Sequence, residues 1–492
     1  MRRIRKGIPF LLPLLILISA LYFLLPISSE SSDPSEIDAL APVEVIAEGL
    51  SEPTGVVADQ NGAVFVSDRK TGEVFKITGD IHPIVNNLKR PTGLALDTSG
   101  RLLIVEEQTG RLLRVESNGS LAVVAEGMKK PRWVAVAEDG TLYVSAKGLK
   151  TTGDGDDDNE EEAEGEIILR LTPHASLLTV FADGFKGLQG IVVHEGTLLA
   201  AAKGVKKPKD DHGGIFKIPI LADGTAGPVS RLTQSEIKKP FGLVRDPLGA
   251  LYVSAEELEL SKKVKDGIGK VASDGTVTRF AAKLKKPRGL ALDSFGNLYV
   301  ADDNGGKKGR IIRFRAPPPP TINIPAFTKQ NPLTVGGATE PNSRIDAFLN
   351  DSAVPVPPQA KDGSFSLALS LTLNAQNSLD VFATAHNGQG LTSAPAELTI
   401  IHDNVLPLIA NLQPANGAFL NNPRPIIRAD FSDNLSGVDV SKVEIRLDGL
   451  NVATQAQVTA SGFTLNLINP LSEGSHTVAV TVIDRAGNST TA

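Results

Sequence analysis

A phrase that returns six times before residue 315 constrains this chain more than any other feature. It is a turn with Pro and Gly, an apolar strand, a Gly-centred turn, a second apolar strand, then a Gly-Arg or Gly-Glu hairpin. One copy reads Pro91-Thr-Gly-Leu-Ala-Leu-Asp97, continues through 100–106 and closes on Gly110-Arg-Leu-Leu-Arg114. Another reads Pro287-Arg-Gly-Leu-Ala-Leu-Asp293, continues through 296–302 and closes on Gly309-Arg-Ile-Ile-Arg313. A unit of this size cannot bury its own apolar face, so the copies must stack on one another. They start at Pro53, Pro91, Pro131, Leu188, Pro240 and Pro287; the closest starts leave room for four short strands with tight turns, and the longer copies carry loop insertions.

Within a copy the residue choices have physical reasons. The first strand alternates small residues on one face (Gly93, Ala95) with Leu94 and Leu96 on the other, which suits a strand near a crowded axis. Asp59, Asp97, Asp246 and Asp293 each stand three residues before a Gly, the arrangement of a β-turn in which Asp bonds its own backbone. The second strand is rich in β-formers, as in Leu142-Tyr143-Val144 and Leu298-Tyr299-Val300. A fourth strand ends each unit except the last, which breaks off after Arg315, while a spare segment of that type, residues 43–47, precedes the first unit. Residues 43–47 are therefore expected to complete the last sheet, which would close the ring without a free edge.

The pattern Pro-x-Gly-Leu-Ala-x-Asp, Gly-x-Leu-Tyr-Val-x-Asp, Gly-Arg-Ile resembles the NHL repeat, and residues 42–316 look like a six-bladed β-propeller of that class, within the lactonase and sugar-dehydrogenase-like propeller superfamily. The prolines at 317–320 mark a stiff linker. Beyond it, residues 317–402 and 403–492 have the short-strand rhythm of β-sandwiches and resemble bacterial Ig-like modules, through Asp-Gly-Ser-Phe at 362–365 and Asp-Arg-Ala-Gly-Asn at 484–488. The fold class is all-β: a six-bladed propeller and two Ig-like sandwiches, with an N-terminal hydrophobic helix.

That helix is read from Arg2, Arg3, Arg5 and Lys6, which precede an uncharged stretch at 8–27 and a polar exit. At ~1.5 Å per residue the stretch would cross a bilayer. Residues 1–29 are expected to be a cleaved signal peptide or a signal anchor, leaving the rest extracytoplasmic, secreted or membrane-held. The absence of cysteine excludes disulfides, thiolate metal sites and lipid attachment, and a net charge of -6 gives no sign of nucleic acid binding.

In a propeller, the loops before the first strands and after the second open on one face. Here the leading loops are basic: Lys89 and Arg90, Lys129, Lys130 and Arg132, Lys186, Lys238 and Lys239, Lys285, Lys286 and Arg288. They read either as an anion-binding mouth or as solvated lysines balanced by nearby acids. The second strands end at Asp68, Glu106, Ala146, Ala202, Ala255 and Asp302, so three acids fall on one arc. Asp68, Glu106 and Asp302 could hold Ca²⁺ at the mouth, or each could fix the loop that follows it. Asp430, Asp433, Asp439 and Asp484 in the last sandwich offer a second calcium candidate, against solvated strand ends. The acidic insertion at 153–162 fails the EF-hand pattern, because its twelfth position, Gly165, is not Glu.

Histidines 82, 174, 194 and 212 are not spaced as a metal pair; His194 belongs on the face away from the mouth and His212 near it. Residues 48–53 are similar to the Glu-Gly-Leu-x-x-Pro opening of the quinone-dependent sugar dehydrogenases, while against the Glu-Gly-Pro of the gluconolactonases the chain has Glu48-Gly-Leu50 and Glu52-Pro53. It lacks the Asn-Asp-Gly motif of the lactonases, the Glu and His pair of the virginiamycin B lyases and a counterpart of the dehydrogenase histidine. The expected function is that of an exported cell-envelope scaffold whose propeller recognises an envelope glycan, an anionic polymer or a protein partner. The alternative is a metal-dependent hydrolase or sugar dehydrogenase acting at the mouth.

Overall fold

Side chains on the two faces of the repeat strands dictate where the core must lie. The fold is that of a computed structural model describing residues 36–150, 165–173, 178–304, 306, 308–359 and 361–492. The N-terminal helix and the acidic insertion expected from sequence lie outside these residues. The described residues form strands and three short 3₁₀ turns, with no helix long and apolar enough to cross a membrane.

Up to residue 316 the strands make six antiparallel sheets of four or more strands. Their first strands touch in a closed cycle: Pro53–Ala58 meets Pro91–Leu96, followed by Trp133–Val136, Ile191–His194, Ile237–Arg245 and Pro287–Leu292, which returns to Pro53–Ala58. The core sits between neighbouring sheets. Six separate apolar clusters fill the six interfaces. The cluster that seals the last against the first combines Ala291, Tyr299 and Ile311 with Val56 and Val66. The expected closure is present: Val43–Leu50 pairs antiparallel with Gly309–Phe314, with Val43 opposite Phe314 and Glu44 opposite Arg313. The chain also adds a strand that the repeat does not announce, Asp38–Ala39, on the outer edge of the fifth sheet.

Backbone crowding explains the repeated Gly of the first strands. A Cβ on Gly55 would stand 2.1 Å from the Thr92 carbonyl oxygen of the next sheet, and one on Gly190 would stand 2.5 Å from that of Phe241. The sheets are stitched there in alternation. In the first, third and fifth, a buried serine spans the gap. The Ser67 hydroxyl accepts from Gly55 N–H (2.8 Å) and donates to the Thr92 carbonyl (2.6 Å). Ser145 does the same between Trp133 and Gln189, and Ser254 between Gly242 and Arg288. In the second and fourth, a Gly N–H bonds directly to the next sheet, Gly93 to Arg132 and Gly190 to Phe241, each at 2.8 Å. The turn aspartates behave as their sequence context implies: the Asp97 carboxylate accepts from Ser99 and Arg101 N–H, and its carbonyl from Gly100 N–H.

Two sandwiches follow. The first packs a three-stranded sheet on a five-stranded one around Leu333, Leu367, Leu379 and Val381. The second packs two four-stranded sheets around Ile427, Phe431, Ile445 and Val480. A loop of the first sandwich docks on the ring. Leu391, 1% exposed, shares a core with Tyr252, Phe280 and Leu290. Lys270 Nζ donates to the carbonyls of Gly388 (2.9 Å) and Gly390 (2.7 Å), and the Tyr252 hydroxyl donates to Gly390 (3.1 Å).

Candidate functional site: the axial pocket

The residue following Pro, or Leu188, in each repeat points to the ring axis, and together these six side chains line a cavity of about 210 Å³. They are Thr54, Thr92, Arg132, Gln189, Phe241 and Arg288, joined by Glu52, Arg69, Glu107 and Trp133. Trp133 takes the place that Gly holds in the other five copies. Its indole reaches across the axis: Cδ2 lies 3.3 Å from where a Cβ on Gly93 would stand, and Cη2 lies 3.0 Å from that point on Gly289. Trp133 meets the Phe241 ring edge-on, with centroids 5.9 Å apart, and the Arg288 guanidinium stacks 4.7 Å above the Phe241 centroid. The chain's single tryptophan thus forms an aromatic floor with Phe241.

The charged walls are cross-braced. Arg69 bridges Glu52 (3.0 Å) and Glu107 (2.7 Å). Burial lowers the Arg69 pKa, but Glu107 and then Glu52 outweigh it and leave the guanidinium more firmly charged than usual. Arg132 donates to the Leu188 carbonyl (2.6 Å) and pairs with Glu166 (2.8 Å); Arg288 faces Asp303 at 3.5 Å. Both acids on the pocket wall share one guanidinium, and the hydroxyls of Thr54 and Thr92 donate to the carbonyls of Glu52 (3.1 Å) and Val105 (3.4 Å), which leaves the aromatic pair, Gln189 and the edges of the arginines as the remaining lining.

The basic leading loops divide into two groups. Lys186 pairs with Asp211, Lys238 with Glu257 and Glu259, Lys239 with Glu256 (2.5 Å), and Lys286 with Asp303 (2.7 Å). The side-chain charges of Lys89, Arg90, Lys129 and Lys285 form no ion pair among the described residues, and Arg90, Lys130 and Lys239 turn through positive φ just before a proline. Arg132 and Arg288 alone of the basic set line the pocket.

Asp68, Glu106 and Asp302 do not come together; each is buried in its own sheet and fixes its own loop. Asp68 accepts from the N–H groups of Ser51, Glu52, Lys70 and Thr71. Asp302 accepts from Lys285 and Lys286 N–H and pairs with Arg310 at 3.0 Å. Glu106 accepts from Lys89 N–H and pairs with Arg111 at 2.6 Å. Burial pushes the Glu106 carboxyl up, yet Thr109, Lys89 N–H and Arg111 together hold it below the usual carboxylate range. The loop-fixing alternative raised by the sequence therefore fits this geometry, and a shared cation seat does not.

Among the described residues, the acids that do converge are Asp403, Asp433 and Asp484, with carboxylate oxygens all within 4.8 Å of one another. Of the sequence candidates, Asp433 and Asp484 belong here. Asp430 instead accepts from Asn411, and Asp439 caps a 3₁₀ turn and pairs with Lys442. Asp403 sits at the boundary between the sandwiches, and the fold brings it back beside the last strands. Asp403 and Asp484 are fully buried, and none of the three has an ion-pair partner among the described residues. The nearby Ser436 donates its N–H to Asp403, while its buried hydroxyl has no partner. Three carboxylates with oxygen donors and no counter-charge suit a hard divalent cation.

His194 lies, as expected, on the face away from the mouth; His212 is exposed and bonded to Asp210 rather than lining the pocket, and His82 lies on an outer strand. His174 lies outside the described residues. Nothing in the repeat pattern singles out Trp133 except that it breaks the pattern, which was the available signal.

Residues 427–492 match the family model of a bacterial Ig-like domain. No curated protein matches the chain. Similar solved structures include a gluconolactonase from Xanthomonas campestris, 17% identical, covering 56% of this chain and 90% of that one with a TM-score of 0.45. A streptogramin B lyase is 14% identical, covering 56% and 98% with a TM-score of 0.39. The PQQ-bound aldose sugar dehydrogenase of Streptomyces coelicolor is 17% identical, covering 57% and 97% with a TM-score of 0.40.

Proposed function

We propose that this is an exported recognition protein of the cell envelope, in which a six-bladed propeller of the NHL class binds an acidic saccharide in its axial pocket. The observation that carries this reading is the floor of Trp133 and Phe241 with Arg288 stacked over it, beside Arg69 and Arg132. Aromatic faces suit the apolar face of a sugar ring, and guanidinium forks suit a carboxylate. The pocket acids, Glu52 and Glu107, are braced to Arg69, which favours binding over proton transfer. In this reading residues 1–29 direct export or hold the chain at the membrane, and the sandwiches, which follow the ring in the chain, serve as spacer or adhesive modules. A Ca²⁺ ion at Asp403, Asp433 and Asp484 would stiffen the joint between the sandwiches.

The single tryptophan makes the test direct. Full-length protein titrated with oligogalacturonate should show a saturable change in Trp133 emission, weakened about tenfold by Arg288→Gln and by methyl-esterifying the ligand. Unchanged emission with acidic saccharides, or equal response to the ester, contradicts the reading. Turnover of lactones, or of sugars with an artificial electron acceptor, would favour the enzymatic alternative.

A further inference from the structure

A second cavity, about 420 Å³, lies between the ring and the first sandwich. It opens where the first strands of the fourth, fifth and sixth sheets end, on the face opposite the axial pocket, and Leu391 and Thr392 of the sandwich help to enclose it. Its volume falls in the range of about 300–1,000 Å³ common to small-molecule sites. The enclosing loop is held in place before any ligand arrives, by Lys270 and Tyr252 on the Gly388 and Gly390 carbonyls and by the Thr392 hydroxyl on Asp246 (3.0 Å). Val192, Val193, Leu292 and Leu391 make apolar walls.

One charge in this cavity is uncommitted. Arg245 is half-buried at the end of its strand, where its backbone pairs with Leu251, and its guanidinium has no hydrogen bond or ion pair among the described residues. The acids around it are engaged elsewhere. Asp246 accepts from Ala250 N–H and Thr392. Asp293 accepts from Asn297 and from the Tyr299 hydroxyl (2.9 Å), as well as from its own turn. The acids near His194, Glu195 at 3.2 Å and Glu138 at 3.7 Å, face its ring. A half-buried guanidinium among aliphatic side chains presents a planar fork that matches a carboxylate, and the walls offer space for an aliphatic body behind it.

We propose that this cavity binds a small aliphatic carboxylate, with Arg245 holding the carboxylate and Val192, Leu292 and Leu391 packing on the chain. The site is separate from the axial pocket and does not depend on the saccharide reading. The test is calorimetric titration of full-length protein with hexanoate, and with hexanamide, acetate and inorganic phosphate as comparisons. Hexanoate should bind saturably; hexanamide and acetate should each be at least about tenfold weaker, because one lacks the charge and the other the chain. Arg245→Gln should weaken hexanoate by about tenfold or more, and Arg245→Lys, which keeps the charge but loses the fork, should fall between. Lys217→Gln, at an exposed position on the third strand of the fourth sheet, should leave binding unchanged. Absence of saturable hexanoate binding overturns the proposal. So does equal binding of hexanamide or phosphate, or hexanoate binding that both Arg245 variants leave intact.

Discussion

Removing the hydroxyl of Ser67 should cost far more than its size implies. Ser67 is 0% exposed, and its oxygen is the only group joining Gly55 N–H to the Thr92 carbonyl across the first interface. Ser67→Ala leaves a donor and an acceptor unpaired where water cannot reach, at roughly 1–3 kcal/mol for each buried group left unsatisfied. The carbonyl keeps a second lone pair and relaxes more cheaply, so the expected loss is about 2–4 kcal/mol. Ser145→Ala and Ser254→Ala break the same bridge at the third and fifth interfaces and should cost similar amounts. The interfaces share no partners, so the losses should add, and the triple variant should forfeit most of the ~5–15 kcal/mol that holds a typical domain together. Urea unfolding followed by Trp133 emission reports on the ring itself. Ser99→Ala, in an exposed turn where only the backbone N–H is bonded, is the comparison and should change stability by less than ~0.5 kcal/mol. Losses at Ser67, Ser145 and Ser254 no larger than at Ser99 would refute the serine bridges as elements holding the ring together.

Calcium should raise the melting temperature of the full chain relative to chelator, by an amount corresponding to about 2.7 kcal/mol when free Ca²⁺ is a hundredfold above its Kd. Asp484→Asn should abolish that shift, and a melting curve indifferent to calcium would remove the proposed ion. Burial lowers the Lys270 ammonium from 10.5 to about 8, with Asp246 pulling it back up and Arg344 pushing it down. The folded chain therefore binds fewer protons than the unfolded one between those values, so stability gained through Lys270 rises with pH across that window and is lost as pH falls through about 8. Its size is at most about 3 kcal/mol. The stability difference between wild type and Lys270→Met should shift by that amount between pH 7.5 and 10.5, and a flat difference would show that Lys270 is not desolvated at the docking contact.

Local patterns were readable from sequence, while long-range meetings were not. The Pro-x-Gly strands, the Asp-to-Gly turns and the pairing of the opening segment with the last sheet all follow from short-range spacing plus the rule that a sheet edge must be covered. Ser67, Ser145 and Ser254 stand one residue before Asp68, Ala146 and Ala255 in alternate copies, a regularity hidden by attention to the acids beside them. Asp68, Glu106 and Asp302 looked like one site because an aligned column resembles a cluster, yet each turns into its own loop. Asp403 and Asp484 are far apart in sequence, and only the folding of the second sandwich makes them neighbours. The docking of Lys270 on Gly388 and Gly390 likewise depends on the relative placement of two domains, which no periodicity encodes.

Ring closure underlies the axial pocket, and the absence of native cysteine makes it directly measurable. Glu44 and Arg313, opposite one another in the closing strand pair, can be replaced together as Glu44→Cys and Arg313→Cys. A closed ring requires that the oxidised monomer form this internal disulfide spontaneously, protect both thiols from alkylation and melt at a higher temperature than its reduced form. Two freely alkylated thiols in the folded monomer under the same oxidising conditions would mean that the first and last strands do not meet, and the axial pocket would lose its enclosing wall.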